Sequence, residues 1–396
     1  MSDANEFRAE VRQWLEDNCP ESQRRPIVRE EQIWAGSKRS FHNEEARAWF
    51  EAMRDRGWTA PEWPTEYGGG GLDPERARIL QQEMSRLGCR PPLYDMGLWM
   101  LGPALLTYGS EEQKQYHIPR IVKGEARWAQ GYSEPGAGSD LASLKTRADD
   151  QGDHFLVNGT KIWTTRGDLA DWIFCLVRTD PDASKQAGIT FLLIDMHSEG
   201  VSTAPIKLIS GESEFVQTFF DNVKVPKGNV VGEVNGGWAV AKELLKHERK
   251  LMGTMESISE KVDVGLVELA REHRAFDDAG KLADTDLRMR MSRQLMVDDA
   301  LQHFNERLFF QHKAGEADQR LPLLLKHLGT SELQRKDEII LSILGTAGLS
   351  FDSPLTSESA HRMVRNWAYD KAHTIAGGTS EIQLNIIAKR ALGLPD

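Results

Sequence analysis

The chain has 396 residues, a hydrophobic content of 40% and a formal net charge of −11. This length predicts two or three packed domains. The acidic balance argues against a nucleic-acid partner, because such a site needs a basic face and no Lys/Arg cluster stands clear of acidic neighbours. The longest apolar-rich run without charge, Ile339 to Phe351, is shorter than the roughly 20 residues that a membrane-spanning helix requires.

The N-terminal segment and the cysteines indicate an intracellular protein. Residues 1–18 are charged from the third residue and have the pattern of an amphipathic helix rather than a signal peptide, so we expect a cytoplasmic location. Cys19, Cys89 and Cys175 are odd in number and lack CxxC spacing. They are predicted to be buried free thiols, with neither a disulfide framework nor a zinc site.

Hydrophobic periodicity divides the chain into three domains, in the order helical, β, helical. Residues 1–125 follow a helical pattern that a Pro- and Gly-rich loop interrupts. Residues 126–232 change to a period of two, and Asn158-Gly159 between alternating segments predicts a β-hairpin turn. Residues 233–396 return to long helices.

The first segment with chemical potential is GYSEPGAGSDL, residues 131–141. Pro135-Gly136 suits the central positions of a type II turn, and glycines let backbone N–H groups converge on an anion or the edge of a flat ring. An ordinary loop between two domains is the alternative. The groups that could line such a cradle belong to Ser133, Gly136, Gly138 and Ser139.

The second segment is KIWTT, residues 161–165. Strand alternation would put Trp163 and Thr165 on one face, where an aromatic plane and a hydroxyl could meet the same planar ligand. The alternative is that Trp163 is simply part of the core.

The third segment is a predicted helix that carries Glu248 on its apolar stripe. The stripe also contains Leu244, Leu251, Met252 and Met255, at helical offsets from Glu248. No basic residue lies three or four positions away. Burial raises the pKa of a carboxyl, so Glu248 is a candidate general base; the alternative is that it lies at the exposed edge of the stripe.

Together these segments resemble the acyl-CoA dehydrogenase family over nearly the whole chain. GYSEPGAGSDL matches the family's flavin and substrate loop, KIWTT its hairpin beside the flavin, and GGTSEIQLNIIAKRALG its C-terminal cofactor segment. The resemblance implies an α+β multidomain fold: an N-terminal helical domain, a middle β-barrel or sandwich domain and a C-terminal four-helix-bundle-like domain.

The resemblance also implies a reaction. A FAD enzyme of this family removes two hydrogens from an acyl-CoA thioester, as in β-oxidation of fatty acids or steroid side chains, and leaves a trans-2-enoyl-CoA. A carboxylate takes the α proton and flavin N5 takes the β hydride. An electron-transfer flavoprotein or a similar acceptor then reoxidises the flavin. An acyl-CoA oxidase and a catalytically silent subunit of a heteromeric dehydrogenase are the alternatives.

The family pattern implies roles for individual residues. Ser139, Arg249 and Gly377 would contact the substrate. Ser380 and Gln383 also fit a helix capping box, so part of the C-terminal signal needs no ligand. The implied cofactor-binding residues are Gln130, Tyr132, Ser133, Gly138, Ser139, Trp163, Thr165, Thr379 and Glu381.

Gly377 stands where many members of the family carry the catalytic base. Another branch carries its acid on the first long helix of the C-terminal domain, directly before an Arg, and Glu248-Arg249 is similar to that arrangement. We therefore expect Glu248 to be the base and Arg249 to steady it. The Gly377 N–H could still donate to the thioester oxygen.

Two departures from the family pattern bear on assembly and substrate. Where members carry an Arg that reaches a neighbouring flavin, this chain has His273 between Arg271 and Arg274, and Ser342 to Leu349 replace a Gln-x-x-Gly-Gly segment. We expect a homo- or hetero-oligomer built as a dimer of dimers. Gly377 leaves room near the α carbon, which favours a branched or bulky acyl group such as a steroid side chain.

Overall fold

The computed structural model describes residues 3–25, 29–254 and 265–395, without the side chains of residues 29, 246–254, 309, 312 and 313. The chain divides into two compact units. The first contains Met1–Ile206 and Ser213–Lys261, and the second contains Lys207–Glu212 and Val262–Asp396. The domain boundaries predicted near residues 125 and 232 stay predictions.

The first unit begins with amphipathic helices, three of which start at a capping side chain. Asn43, Asp73 and Ser110 each accept a backbone N–H of the helix that follows, and Ser110 forms a full capping box with Gln113. The helices are α1 (Asp3–Asn18), α2 (Glu44–Asp55), α3 (Pro74–Leu87), α4 (Gly102–Tyr108) and α5 (Glu111–Val122).

A buried carboxylate joins α1 to α3. Glu83 is 2% exposed and receives hydrogen bonds from Arg8 and Arg12 of α1 and from Arg86 of its own helix, at 2.7 to 3.2 Å. Hydrogen bonding from Arg12, the largest influence, lowers the pKa of Glu83 to about 2 despite burial. Leu15 of α1, Trp49 of α2 and Leu80 of α3 belong to one apolar cluster, which also joins these helices.

The middle of the chain forms one seven-stranded sheet in the order β1-β4-β2-β3-β7-β6, with β5 paired to β4. β1 pairs with β4 in parallel and the long strands β3 and β7 pair antiparallel. The strands are β1 (Trp128–Gly131), β2 (Arg147–Asp150), β3 (His154–Thr165), β4 (Trp172–Arg178), β5 (Ile189–Asp195), β6 (Val201–Ile206) and β7 (Phe215–Pro226).

The predicted hairpin turn at Asn158-Gly159 is wrong. β3 continues through both residues, and its register against β7 shifts between Val157 and Gly159, which marks a bulge. Gly159 has a φ of +151°, and a Cβ there would lie 2.6 Å from Thr146 Oγ1. The residue pair that suits a tight turn therefore serves a bulge, and the actual turn between β2 and β3 contains Gly152.

Helix α6 (Gly237–Thr254) completes the first unit. Its first turns pack on the sheet: Val240, Ala241 and Leu244 are buried in the same cluster as Phe191 and Leu193 of β5. The segment from the sheet to the helix is anchored where Asn235 N donates to Thr190 Oγ1 at 2.7 Å. The sheet therefore fixes the direction in which α6 starts.

The described part of the second unit is helical. Its apolar cluster includes Leu269, Leu287, Ile343 and Val364, one from each of four helices. The helices are α7 (Leu266–His273), α8 (Thr285–Ala314), α9 (Leu325–Leu344), α10 (Glu358–Asp370) and α11 (Ser380–Ile386).

The three cysteines are free thiols, as predicted, but the predicted burial holds only for Cys19 and Cys175. Cys19 and Cys175 are buried, Cys89 is half-buried, and all three are free thiols. Cys19 and Cys89 are distant in sequence but share one apolar cluster. None of the helices among the described residues combines the length and the apolar character needed to cross a membrane.

Candidate active site

The loop of residues 131–141 leaves strand β1 and turns back at once. Glu134 N donates to Ala137 O at 2.9 Å, and Ala137 N donates to Glu134 O at 3.0 Å, so a turn with Pro135-Gly136 at its centre is present. Its predicted type is wrong, because Gly136 lacks the positive φ that a type II turn requires at that position. Glu134 and Ala137 pair as an isolated antiparallel bridge that closes the turn.

The carboxylate of Glu134 ties this turn to the rest of the sheet. Oε2 accepts from Lys145 N at 2.6 Å, and Oε1 accepts from Thr146 N at 2.8 Å and from Lys161 Nζ at 2.7 Å. Burial alone would raise the pKa of Glu134, but the charge and hydrogen bond of Lys161 and the N–H donors outweigh it, so the pKa lies below its ordinary value. Glu134 is therefore an ionised structural anchor.

Lys161 performs the matching task from strand β3. Its side chain is fully buried, and Nζ also donates to Tyr132 O at 3.1 Å. The next residue continues the attachment, since Ile162 N donates to Ser133 O at 2.9 Å. Residues 132–134 of the loop are thus hydrogen-bonded to residues 161 and 162 of β3. Sequence reasoning gave neither Glu134 nor Lys161 a role, although an acid and a base occur in the two motifs that it singled out.

Trp163 follows directly and has an unusual backbone. Its φ is +60°, in the left-handed region, and the register of β3 against β7 shifts between Lys161 and Thr164. This bulge at residues 162 and 163 interrupts the regular pairing of β3 just before Thr164, and the shared face predicted for Trp163 and Thr165 stays a prediction. The Trp163 ring is 52% exposed and meets Phe215 edge-on at 6.1 Å. An exposed indole on strained backbone is a feature found at functional sites.

The other predicted residues of the loop divide into buried and exposed ones. The Tyr132 ring lies in the core, edge-on to Phe174 and Phe191 at 6.0 and 6.4 Å. Gln130 is half-buried in β1, Ser133 is half-buried, and Ser139 is exposed. A Cβ added at Gly136 or Gly138 would meet no atom within 4 Å, so the space beside this part of the loop is open.

The predicted base lies on α6. Position 248 is four residues after Leu244, which is fully buried beside Tyr132 in one apolar cluster. The side chains of Glu248 and Arg249, like Leu251 and Met252 of the predicted stripe, lie outside the described residues, as does Met255. Their roles stay predictions.

In the second unit, the C-terminal glycine loop precedes helix α11. Gly377 and Gly378 have φ values of +64° and +93°, which side chains with a Cβ rarely adopt. Gln383 Nε2 donates to Gly377 O at 3.1 Å, and Lys326 Nζ of α9 donates to Gly378 O at 2.6 Å. The carbonyl oxygens of Gly377 and Gly378 therefore each accept a hydrogen bond from a side chain.

The predicted capping box at Ser380 is wrong. The cap of α11 is Thr379, whose hydroxyl accepts from Ile382 N at 3.3 Å, and Gln383 turns back to the glycine loop instead. Glu381 lies in the first turn, where its own N–H and the Thr379 hydroxyl lower the pKa of its carboxyl. Thr379 and Glu381 thus have helix-start roles, and their predicted contacts with the cofactor stay predictions.

The residues around the two family departures contact each other. Arg274, partly buried, donates to Ser342 O, while Arg271 and His273 on the same segment are exposed. The Arg274 guanidinium therefore makes a hydrogen bond within its own unit.

Comparison with known proteins assigns the family. Models of the acyl-CoA dehydrogenase N-terminal, middle and C-terminal domains match residues 1–125, 129–223 and 235–392. The chain is 33% identical to acyl-CoA dehydrogenase IpdE1 of Mycolicibacterium smegmatis, over 100% of this chain and 99% of that protein. The chain belongs to the acyl-CoA dehydrogenase family. As an acyl-CoA dehydrogenase it is an oxidoreductase, and the predicted family, enzyme class and fold class are confirmed.

Two solved structures are similar to this acyl-CoA dehydrogenase along its whole length. One is described as the Tcur3481-Tcur3483 steroid ACAD, with 30% identity, a TM-score of 0.77 and coverage of 99% of this chain and 97% of that one. The other is the ChsE4-ChsE5 complex from Mycobacterium tuberculosis, with 29% identity, a TM-score of 0.73 and coverage of 100% and 98%. Each of these names describes two components.

Proposed function

We propose that this acyl-CoA dehydrogenase binds FAD and converts an acyl-CoA thioester to its trans-2-enoyl-CoA, with Glu248 as the base for the α proton. The observation that carries the proposal is the attachment of the 131–141 loop to β3 through Glu134 and Lys161 beside the exposed ring of Trp163. The loop is anchored, has open space beside its glycines and lies next to an exposed aromatic ring. These features suit a large planar cofactor.

The residues of the first unit fit a flavin. Trp163 offers a ring face, Thr165 a hydroxyl, and the loop offers the N–H groups and hydroxyls of Ser133, Gly138 and Ser139 next to open space. Thr379 and Glu381 of the second unit are the proposed partners of the cofactor's phosphate or adenine portion. When bound, the flavin supplies a two-electron acceptor for the hydride that leaves the β carbon.

The position of Glu248 on its helix supports its role as base. Residues four apart lie on one face of a helix, and Leu244 buries that face against the sheet. Burial of a carboxylate on such a face would raise its pKa toward the range useful for a general base. The α proton would pass to the Glu248 carboxylate, with Arg249 following it on the helix.

Gly377 is proposed to stabilise the charge that develops on the thioester oxygen. The Gly377 N–H has no hydrogen-bond acceptor among the described residues. The backbone is fixed on both sides of this N–H, because Ala376 N donates to Ala372 O at 2.8 Å and Gly377 O accepts from Gln383. A fixed N–H that needs no reorganisation during the reaction is an effective donor to an oxyanion.

The substrate and the assembly are proposed from the relatives. A steroid ACAD and a two-component complex are among the structures most similar in length and fold, so we propose a branched or steroid-side-chain acyl-CoA and a hetero-oligomer. An electron-transfer flavoprotein or similar acceptor would reoxidise the enzyme. The changed segments around Arg274 and Ser342 agree with a partner subunit that is not identical.

Anaerobic mixing with acyl-CoAs tests this function. A panel of butyryl-, octanoyl-, isobutyryl- and steroid-side-chain acyl-CoAs should bleach the wild-type flavin, fastest for the bulky members. Glu248→Gln should slow bleaching by at least about 10³-fold, while Glu243→Gln on the same helix should match wild type.

Other outcomes would redirect the proposal. Bleaching that Glu248→Gln leaves unchanged would remove Glu248 as the base. A purified chain, with or without a coexpressed partner, that holds no flavin would support a silent subunit. Rapid reoxidation by air would support an oxidase, and turnover of short linear chains alone would contradict the bulky substrate.

A further inference from the structure

We propose that Lys326 and Gln383 are positioning residues that hold the Gly377-Gly378 segment so that its two free N–H groups face the thioester oxygen. The inference rests on the proposed function, because it concerns the same oxyanion. Gln383 belongs to the C-terminal segment that the sequence analysis singled out, where it had only a capping role, and Lys326 lies outside all of those segments.

The geometry fixes the loop on both sides of Gly377. Gln334 of α9 donates through Nε2 to Asp370 O, Lys371 O and Thr374 Oγ1 at 3.0, 3.2 and 3.1 Å, which anchors the approach to the loop. Ala376 N then donates to Ala372 O. After Gly377, the carbonyls of residues 377 and 378 are held by Gln383 and Lys326.

Holding a carbonyl also orients the N–H of the next residue. In a trans peptide the C=O and N–H point in opposite directions, and the described backbone has no cis peptide bonds. Gln383 on the oxygen of Gly377 therefore turns the N–H of Gly378 the opposite way. Within residues 265–395, neither the Gly377 N–H nor the Gly378 N–H is bonded to an acceptor. Two donors are left free, a combination that binds anionic oxygen elsewhere in proteins.

The two holding groups contribute differently. The Lys326 ammonium makes a charge-assisted bond to Gly378 O, which is stronger than a neutral one and fixes the carbonyl end of the residue that carries the Gly378 N–H. Partial burial lowers the pKa of Lys326, and the Glu381 carboxylate opposes that effect. The Gln383 amide is buried, 7% exposed, and a Cβ at Gly378 would lie 2.8 Å from its Nε2. A Cβ at position 378 would therefore push the Gln383 amide out of its present place, and the positive φ of Gly378 also favours glycine there.

The experiment compares the variants Lys326→Met, Lys326→Arg and Gln383→Met with wild type. Each purified enzyme is loaded with FAD and mixed with a trans-2-enoyl-CoA that carries ¹³C at the thioester carbonyl. Its acyl group is the one that bleaches wild type fastest in the panel above. The readouts are flavin content, the infrared stretching frequency of the labelled carbonyl, and kcat and KM.

We expect the wild type to lower the carbonyl frequency of the bound ligand, because hydrogen bonds polarise the C=O bond. Lys326→Met and Gln383→Met should lose most of that shift and lower kcat about tenfold, with KM changed less than about threefold. Lys326→Arg should retain the shift, because it keeps a charged donor. Lys336→Met, on the same helix but paired with Asp298 at 3.6 Å, is the matched control and should resemble wild type.

The outcomes separate this inference from the proposed function. If wild type lowers the carbonyl frequency and the folded, flavin-loaded Lys326→Met and Gln383→Met variants keep the full shift, the positioning role is wrong and the function stands. If no acyl-CoA bleaches wild type, or wild type leaves the bound carbonyl unshifted, the proposed oxyanion site is wrong and this role is wrong with it.

Discussion

Lys161 Nζ and Glu134 Oε1 lie 2.7 Å apart in the interior of the first unit, with side-chain exposures of 0% and 8%. The pair joins the second residue of the SEPGAGSD motif to the first residue of KIWTT. The pair thereby joins two motifs that are separate in sequence. The bulge that contains Trp163 begins directly after Lys161 in β3.

Removing one partner of this pair should be costly. Lys161→Met leaves the Glu134 carboxylate buried without its counter-charge, so we expect the free energy of unfolding to fall by about 3–5 kcal/mol. Lys161→Met combined with Glu134→Gln should cost less than the sum of the single changes. Urea unfolding of the four proteins measures this coupling.

The exposed pair of Lys185 and Asp140 is the control for that cycle. Its atoms are 2.6 Å apart, but both side chains are about 60% exposed. Lys185→Met should therefore lower stability by less than about 1 kcal/mol. Additive single effects at Lys161 and Glu134 would show that the buried pair does not act as a unit.

Trp163 should matter for the cofactor more than for folding. Asn tolerates left-handed backbone, so Trp163→Asn should change the free energy of unfolding by less than about 1 kcal/mol. Loss of the ring should weaken FAD binding by about tenfold to a hundredfold, since stacking contributes roughly 1–3 kcal/mol per planar group. Flavin titration and urea unfolding of the same variant measure the two effects. Equal FAD affinity would argue against a stacking role.

Glu83 should make the first unit sensitive to acid. Its pKa is lowered to about 2 in the folded chain from an ordinary 4.5, so its stabilisation is complete above pH 4.5 and is lost as pH falls toward 2. Glu83→Gln should lower stability at pH 7 by about 1–3 kcal/mol and reduce the acid dependence. Thermal unfolding from pH 3 to 7 tests this, with Glu10→Gln as the exposed control. Parallel pH curves for Glu83→Gln and wild type would contradict it.

Asp337 should give the second unit the opposite dependence. Burial and then the neighbouring Asp370 carboxylate raise the pKa of Asp337. Its contribution is complete below the ordinary aspartate range and is lost as pH rises through the raised pKa. Stability should therefore decline from pH 5 to pH 9, and less so in Asp337→Asn. Asp299→Asn on α8 is the control. A decline in Asp337→Asn as steep as in wild type would show that another group is responsible.

The sequence by itself determined the order of helical and β segments, the family and the chemical class of the reaction. These features depend on periodicity and on motifs in which neighbouring residues act together, as in GYSEPGAGSDL and KIWTT. The caps at Asn43, Asp73 and Ser110 are equally local, because a cap needs only the residues of one helical turn.

Only the tertiary structure decided how those motifs are joined. Asn158-Gly159 has the residues of a hairpin turn, but pairing with β7 on both sides makes it a bulge. Gln383 has the spacing of a capping box, but the nearby carbonyl of Gly377 takes its amide. Lys161 and Lys326 reach partners 27 and 52 residues away in the chain. Such contacts follow from the packing of distant strands and helices, which local sequence patterns do not encode.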